Sequence, residues 1–193
     1  MNAMPAQLLP DAEKLYAELV KKIRADNEKH AKRFALVGIH TGGAWLAERL
    51  YQDLSTPQPP ESQGLAAQLG MLSVSFHRDD FDRIGLHTLK KSSDIPFPVD
   101  GAHILLVDDV LESGRTIRAA INELYDYGRP ASISLAILVD RGGRELPICA
   151  QYTAIKLKLP KVKSLVFNRD SQGGFYLSME DKQGAAGGRD APA

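Results

Sequence analysis

Three short runs of this chain are apolar at nearly every position: Phe34–Ile39, Ile104–Val107 and Ile133–Val139. A strand buried on both faces reads this way, because neither side of it has to meet water. Helical periodicity lies between the runs. Leu15, Leu19 and Ile23, with Tyr16 and Val20 beside them, predict an amphipathic helix over residues 11–24 that starts at Pro10 and Asp11. Ala44 to Tyr51 reads as a second helix, entered through the turn His40-Thr41-Gly42-Gly43. Arg115 to Tyr127 sets Ile117, Ala120, Ile121 and Leu124 on one face and closes at a glycine cap, Gly128. Buried strands alternating with helices predict an α/β fold, a mostly parallel sheet with helices on both faces. Ligands of such sheets bind at the carboxyl ends of the strands.

The remaining segments carry weaker signals. Leu72–Phe76 alternates apolar and polar residues and predicts a strand near the sheet edge, while residues 54–64 are polar and proline-rich and predict a surface loop. Asp79 to Gly101 is a long irregular stretch with Arg83, Lys90 and Lys91, of the kind that is functional or mobile. Residues 1–181 read as one domain, and the tail from Lys182 to Ala193, without an apolar anchor, is expected to be disordered.

Composition removes several classes of function. Lysine and arginine number 24, as do aspartate and glutamate, so a polyanion must be met by a local patch rather than by the overall field. The single cysteine, Cys149, excludes an internal disulfide and a thiolate metal cluster. No apolar run approaches the roughly 20 residues that span a bilayer, and Met1–Pro10 lacks the pattern of a secretory signal. A cytoplasmic protein with no membrane partner is expected.

The chemistry concentrates in Ile104-Leu-Leu-Val-Asp-Asp-Val-Leu-Glu-Ser-Gly-Arg-Thr116. An apolar strand delivers two adjacent carboxylates, Asp108 and Asp109, and a Ser-Gly-Arg-Thr turn then enters a helix. Amides at a helix N-terminus attract phosphate. Gly114 lets the backbone approach without a Cβ, and Ser113 and Thr116 add hydroxyl donors. The two acids suit the 2′ and 3′ hydroxyls of a ribose, or Mg²⁺ oriented through them. Surface acids near a helix start would gain only about 0.3–1 kcal/mol from its dipole and do not explain an adjacent pair after a buried strand. No Walker-type Gly-x-x-x-x-Gly-Lys sequence occurs.

Val107 to Thr116 resembles the phosphoribosyl-pyrophosphate (PRPP) motif of type I phosphoribosyltransferases. Gly128-Arg-Pro-Ala-Ser-Ile-Ser-Leu-Ala-Ile-Leu-Val-Asp-Arg-Gly-Gly-Arg-Glu-Leu-Pro147 resembles a second long signature, that of the PyrR family. Leu36–Gly43, Leu46–Leu50 and Arg78–Asp80 resemble further PyrR segments in the same order. The resemblance covers about residues 34 to 150. It implies a type I phosphoribosyltransferase fold with a flexible lid loop and a small hood. It also implies a uracil phosphoribosyltransferase that converts uracil and PRPP to UMP and pyrophosphate with Mg²⁺. A second role is implied as well, that of a uridine-nucleotide-responsive regulator of pyrimidine biosynthesis genes through leader mRNA. Self-association as a dimer or larger homo-oligomer comes with it. The alternatives are an RNA-binding nucleotide sensor with vestigial catalysis, and a transferase for another nucleobase.

Residue by residue, the resemblance implies that Asp108 and Asp109 hold the ribose. Val107, Val110 and Leu111 carry the motif into Glu112, Ser113, Gly114, Arg115 and Thr116, which cradle the 5′-phosphate. Thr41 and Gly42 form the pyrophosphate turn, with Gly42 where the family usually has a basic residue. Arg78 pairs with pyrophosphate, and Asp79 and Asp80 act on Mg²⁺ through water; the alternative for that pair is a capped turn with solvated acids. Lys90 and Lys91 reach the phosphates from a lid over 79–101, or are simply solvated. Lys156–Lys163 forms part of the base pocket. Arg141 and Arg144, with Lys21 and Arg24 on the first helix, are candidates for RNA phosphates; the alternative for the first two is pairing with Asp140 or Glu145.

Overall fold

The structure is a computed structural model that describes residues 9–30, 33–56, 64–74 and 92–181. Its centre is a five-stranded sheet of β1 (Phe34–Ile39), β2 (Ala66–Leu72), β3 (His103–Leu111), β4 (Ser132–Asp140) and β5 (Tyr152–Lys156). The strand order is β2-β1-β3-β4-β5, and every pairing is parallel. This is the α/β architecture that the apolar runs predict.

Helix α2 (Gly42–Ser55) carries the chain from β1 outward to β2, and α3 (Arg115–Tyr127) carries it from β3 in the opposite direction to β4. Right-handed crossovers running in opposite directions put the two helices on opposite faces. The core divides accordingly. Leu46, Leu50 and Leu54 of α2 pack with Leu36, Leu105 and α1 (Ala12–His30) on one face. Ile117, Ala120 and Leu124 of α3 pack with Val37, Ile104 and Leu106 on the other.

Asp11 caps α1, its Oδ1 accepting from the amides of Glu13 at 2.9 Å and Lys14 at 3.2 Å. An antiparallel hairpin, β6 (Lys163–Arg169) and β7 (Phe175–Asp181), forms a second small sheet, the hood of the fold. Arg49 anchors it to the helices. Its guanidinium lies 4.5 Å from the Tyr16 ring centroid and 4.9 Å from that of Phe175, and it pairs with Glu13 at 2.8 Å. Glu13 in turn accepts from the Phe175 amide at 2.8 Å. The hydrogen bond from Arg49 holds the Glu13 carboxyl below its ordinary range. Burial, reinforced by the Asp53 carboxylate, pushes the Tyr16 hydroxyl up.

Two boundaries differ from the expectations. The edge strand spans Ala66–Leu72 rather than 72–76, because pairing with β1 imposes a strand on Ala, Gln and Gly, which have little preference for one. Residues 92–101, expected in the lid, are fastened to the second core: Asp94 bridges Met71, and Phe97 and Val99 are buried. Gly128 closes α3 after Tyr127, as expected, and a Cβ there would sit 3.0 Å from Asp100 Oδ1. The tail at 182–193 and the first part of the expected lid, residues 79–91, lie outside the described residues. No helix among the described residues is long and apolar enough to cross a membrane.

Candidate active site

Strands β1 and β3 are neighbours whose following helices leave in opposite directions, and a crevice opens at the carboxyl ends of such a pair. The turn His40–Gly43 and the run Asp108–Thr116 both sit there. The His40–Thr41 peptide is cis, and Gly42 and Gly43 begin α2. A Cβ on Gly43 would lie 2.5 Å from Val107 O and 2.8 Å from Asp108 Cα, a clash with backbone that no rotamer relieves. A Cβ on Gly42 would meet Asp109 Cγ at 2.8 Å and the Phe167 ring at 3.0 Å. The pair of glycines therefore lets the start of α2 press against the two acids, and a basic side chain at Gly42 would have to displace the Asp109 carboxylate.

Strand β3 continues through the acids to Leu111, farther than its apolar run suggests. Asp108 is buried and Asp109 half-buried. Oδ1 of Asp108 accepts from the Asp109 amide at 3.0 Å, and Oδ1 of Asp109 from the Val110 amide at 2.9 Å. Beyond them, three consecutive carbonyls are drawn to one side by residues 141–146. The amide of Arg141 donates to Leu111 O at 3.1 Å, and the Arg144 guanidinium to Glu112 O at 2.5 Å. The amides of Glu145 and Leu146 donate to Ser113 O at 3.0 and 3.1 Å. In a planar trans peptide the N–H points opposite to the C=O. The amides of Glu112, Ser113 and Gly114 consequently face away from that clamp.

Gly114 caps α3 with φ 91°, and a Cβ there would meet Ile148 at 3.1 Å, so both the backbone and the neighbour call for glycine. Buried Ser113 turns its Oγ to the Arg115 amide at 3.2 Å, while Arg115 pairs outward with Glu145 at 2.5 Å. Together the loop, the helix start and the acids set backbone amides at a helix N-terminus beside two carboxylates, an arrangement suited to holding an anion.

Arg141 and Arg144, the candidates for RNA phosphates, both make internal contacts, and for Arg144 these include the Asp140 pairing weighed from the sequence. Arg141 is 7% exposed and pairs with Glu112 at 3.2 Å. Arg144 pairs with Asp140 at 2.6 Å and donates to Ile148 O at 3.0 Å. A guanidinium committed to a carboxylate and carbonyls has few donors left for a phosphate. On α1, Arg24 donates to Asp53 O at 2.5 Å and Lys21 is exposed. Arg78, Asp79 and Asp80, with Lys90 and Lys91, lie outside the described residues. The clamp that residues 141–146 make on Leu111, Glu112 and Ser113 carries no signal in the sequence, since it runs through backbone amides and a guanidinium on distant carbonyls.

No group of three or more His, Cys, Asp and Glu side chains among the described residues is arranged to hold a metal ion. The hard oxygens of Asp108 and Asp109 suit an ion that keeps water and ligand phosphates as most of its shell, which is how Mg²⁺ binds.

A model of the phosphoribosyl transferase domain matches residues 7–166. A bifunctional protein PyrR of Ralstonia nicotianae is 46% identical over 176 residues, covering 89% of this chain and 95% of that relative. The chain belongs to the PyrR family. A second PyrR, from Pseudomonas aeruginosa, is 50% identical over 141 residues, covering 72% of this chain and 78% of the relative. Solved structures agree at the level of fold. A hypoxanthine-guanine phosphoribosyltransferase of Bacillus anthracis superposes with TM-score 0.58 at 15% identity, over 80% of this chain and 86% of that one. A hypoxanthine phosphoribosyltransferase of Trypanosoma cruzi gives TM-score 0.56 at 17% identity, over 79% and 82% of the two chains. At such identities the PyrR chain shares their fold, and nothing about the base follows.

Proposed function

We propose that this PyrR protein transfers the ribosyl phosphate of PRPP to uracil, giving UMP and pyrophosphate. The observation that carries the reading is the loop after β3, whose carbonyls are tied back at Leu111, Glu112 and Ser113 so that its amides face the opposite way. Those amides, with the hydroxyls of Ser113 and Thr116, hold the 5′-phosphate at the start of α3. Asp108 and Asp109 accept from the ribose hydroxyls. The pyrophosphate end then falls toward Thr41 and Gly42, with Arg78 as a further partner. Lys156–Lys163 flanks the base.

In the reaction the C1′–O bond breaks, its electron pair leaves with pyrophosphate, and a uracil ring nitrogen bonds to C1′ and releases its proton. Positioning and charge neutralisation account for most of the acceleration in such a transfer. Asp108 and Asp109, or Asp79 and Asp80 through water, would help hold Mg²⁺ alongside the ligand's own oxygens, and the ion would supply positive charge near the leaving group. This reading places the protein in the cytoplasm, where PRPP and free bases occur, and includes self-association.

Regulation belongs to the same reading: uridine nucleotides occupy this site and tune affinity for leader mRNA. Coupling of that kind is reciprocal, so RNA tightens nucleotide binding by the same factor. With Arg141 and Arg144 engaged internally, the RNA contact falls on α1 around exposed Lys21 and its neighbour Arg24.

The test is formation of labelled UMP from uracil, PRPP and Mg²⁺, with hypoxanthine, guanine and orotate as competing bases. UMP alone is expected. A nucleotide made only from another base would move the specificity, and no product from any base would leave nucleotide sensing without catalysis.

A further inference from the structure

We infer that Arg141 is a positioning residue that ties the phosphate-binding loop to the loop after β5, setting the distance between the two parts of the site that a nucleotide must touch together. The inference rests on the transferase reading above. Arg141 directly follows β4, at the same sheet edge as Asp108 and Asp109. Its side chain is 4% exposed and joins three segments. NH1 lies 3.2 Å from Glu112 Oε2, inside the phosphate-binding loop. NH2 donates to Lys163 O at 2.8 Å and to Pro160 O at 3.4 Å, where the chain passes from β5 into the hood. Its backbone amide holds Leu111 O.

Stability alone does not explain this arrangement. A buried ion pair is often no more stabilising than an apolar group of the same size, and its best-attested use is to fix register. Here the two segments follow different strands and have no mutual sheet pairing, so a planar fork with donors on both sides is what spans them. The hairpin beyond Lys163 also reaches the other side of the site, since Phe167 lies against Gly42 and Trp45. A shift of the Lys163 carbonyl would therefore move the base side against the phosphate side.

The expected signature is a change in ratio. UMP touches both sides of the site, whereas ribose 5-phosphate touches only the phosphate side, the acids of β3 and the loop that follows. Binding of each is measured by calorimetry on the native protein, on Arg141→Lys and on Glu112→Gln, with thermal unfolding recorded alongside. Arg141→Lys keeps the charge beside Glu112 but lacks the fork; Glu112→Gln leaves the guanidinium its two carbonyls and removes the ion pair. Both are expected to weaken UMP about tenfold while ribose 5-phosphate changes less than about threefold. Equal loss of both ligands, or unchanged UMP affinity, in whichever variant folds would overturn the inference and leave Arg141 as ordinary scaffolding. A native protein that binds neither ligand would instead remove the transferase reading on which the inference stands.

Discussion

The two sides of the proposed site are built by opposite means. The phosphate side is one uninterrupted run, Val107 to Thr116, in which a buried strand, two acids, a left-handed glycine and a helix start follow one another. The base side is assembled from segments far apart in sequence: the end of β4, the loop after β5 and a hairpin that Arg49 and Glu13 fasten to the first two helices. A continuous run is positioned by its own backbone and the sheet beneath it, with residues 141–146 tying back its carbonyls. An assembled flank depends on side chains that cross between segments, here Arg141 and Arg49. Chemistry common to all substrates of such a transferase can therefore rest on the first, and selectivity for one base is left to the second.

The largest effect separating the two sides belongs to the acids. Asp108→Asn with Asp109→Asn removes both charges and keeps their shape, so UMP formation is expected to fall more than about a thousandfold while the melting temperature changes little. Retained activity would move the reaction centre off β3. Next in size is the glycine cap. Gly114→Ala meets both a positive φ and Ile148, whereas Gly142→Ala, at φ 72°, has nothing within 4 Å. Urea unfolding is expected to show a loss of about 1–3 kcal/mol for the first and less for the second, with phosphate affinity reduced only by the first. Equal losses would mean that the contact with Ile148 adds nothing to the loop.

Those residues also show how far the sequence was legible and where it stopped. Asp108, Asp109 and Gly114 announce themselves because their chemistry is local: acids at a strand end and a glycine at a helix start. The five-stranded sheet was legible for the same reason at β1, β3 and β4, whose apolar runs leave no polar face. Ala66–Leu72 lies outside the expected strand except at Leu72, because a neighbour imposes it: Ala66, Gly70 and Leu72 are buried, but residues such as Gln68 and Gly70 carry little strand signal of their own. Arg141 and Arg144 were read as surface arginines because sequence spacing does not reveal which carbonyls a side chain will find. The carbonyls of Pro160, Lys163 and Glu112 lie 19 to 32 residues away, whereas Asp140, the partner the sequence did suggest for Arg144, is four residues off.

The arginines yield the third effect. Arg144→Ala is expected to cost about 1–3 kcal/mol in stability, through the loss of Asp140 and the Glu112 carbonyl, and to leave the salt dependence of RNA binding unchanged. Lys21→Ala is expected to do the reverse, reducing the salt slope by about one phosphate contact without a measurable change in stability. An unchanged slope in Lys21→Ala would take the RNA contact off α1.

The smallest effect concerns the hood anchor. Glu13 is held below its ordinary value of 4.5, so its contribution to stability is complete above that value and disappears as the pH falls through its folded value. The stability gap between the native protein and Arg49→Met should therefore be wider at pH 7 than at pH 3. With both groups over one-third exposed, the difference should stay below about 1 kcal/mol. A gap independent of pH would assign the anchor to packing over Tyr16 and Phe175 alone.

The most direct test of the central claim is a crystal structure with UMP bound. The account places the 5′-phosphate on the amides and hydroxyls of residues 112–116, the ribose hydroxyls at Asp108 and Asp109, and the base toward the loop after β5. A UMP whose phosphate lies elsewhere, or whose ribose leaves both carboxylates untouched, would contradict it.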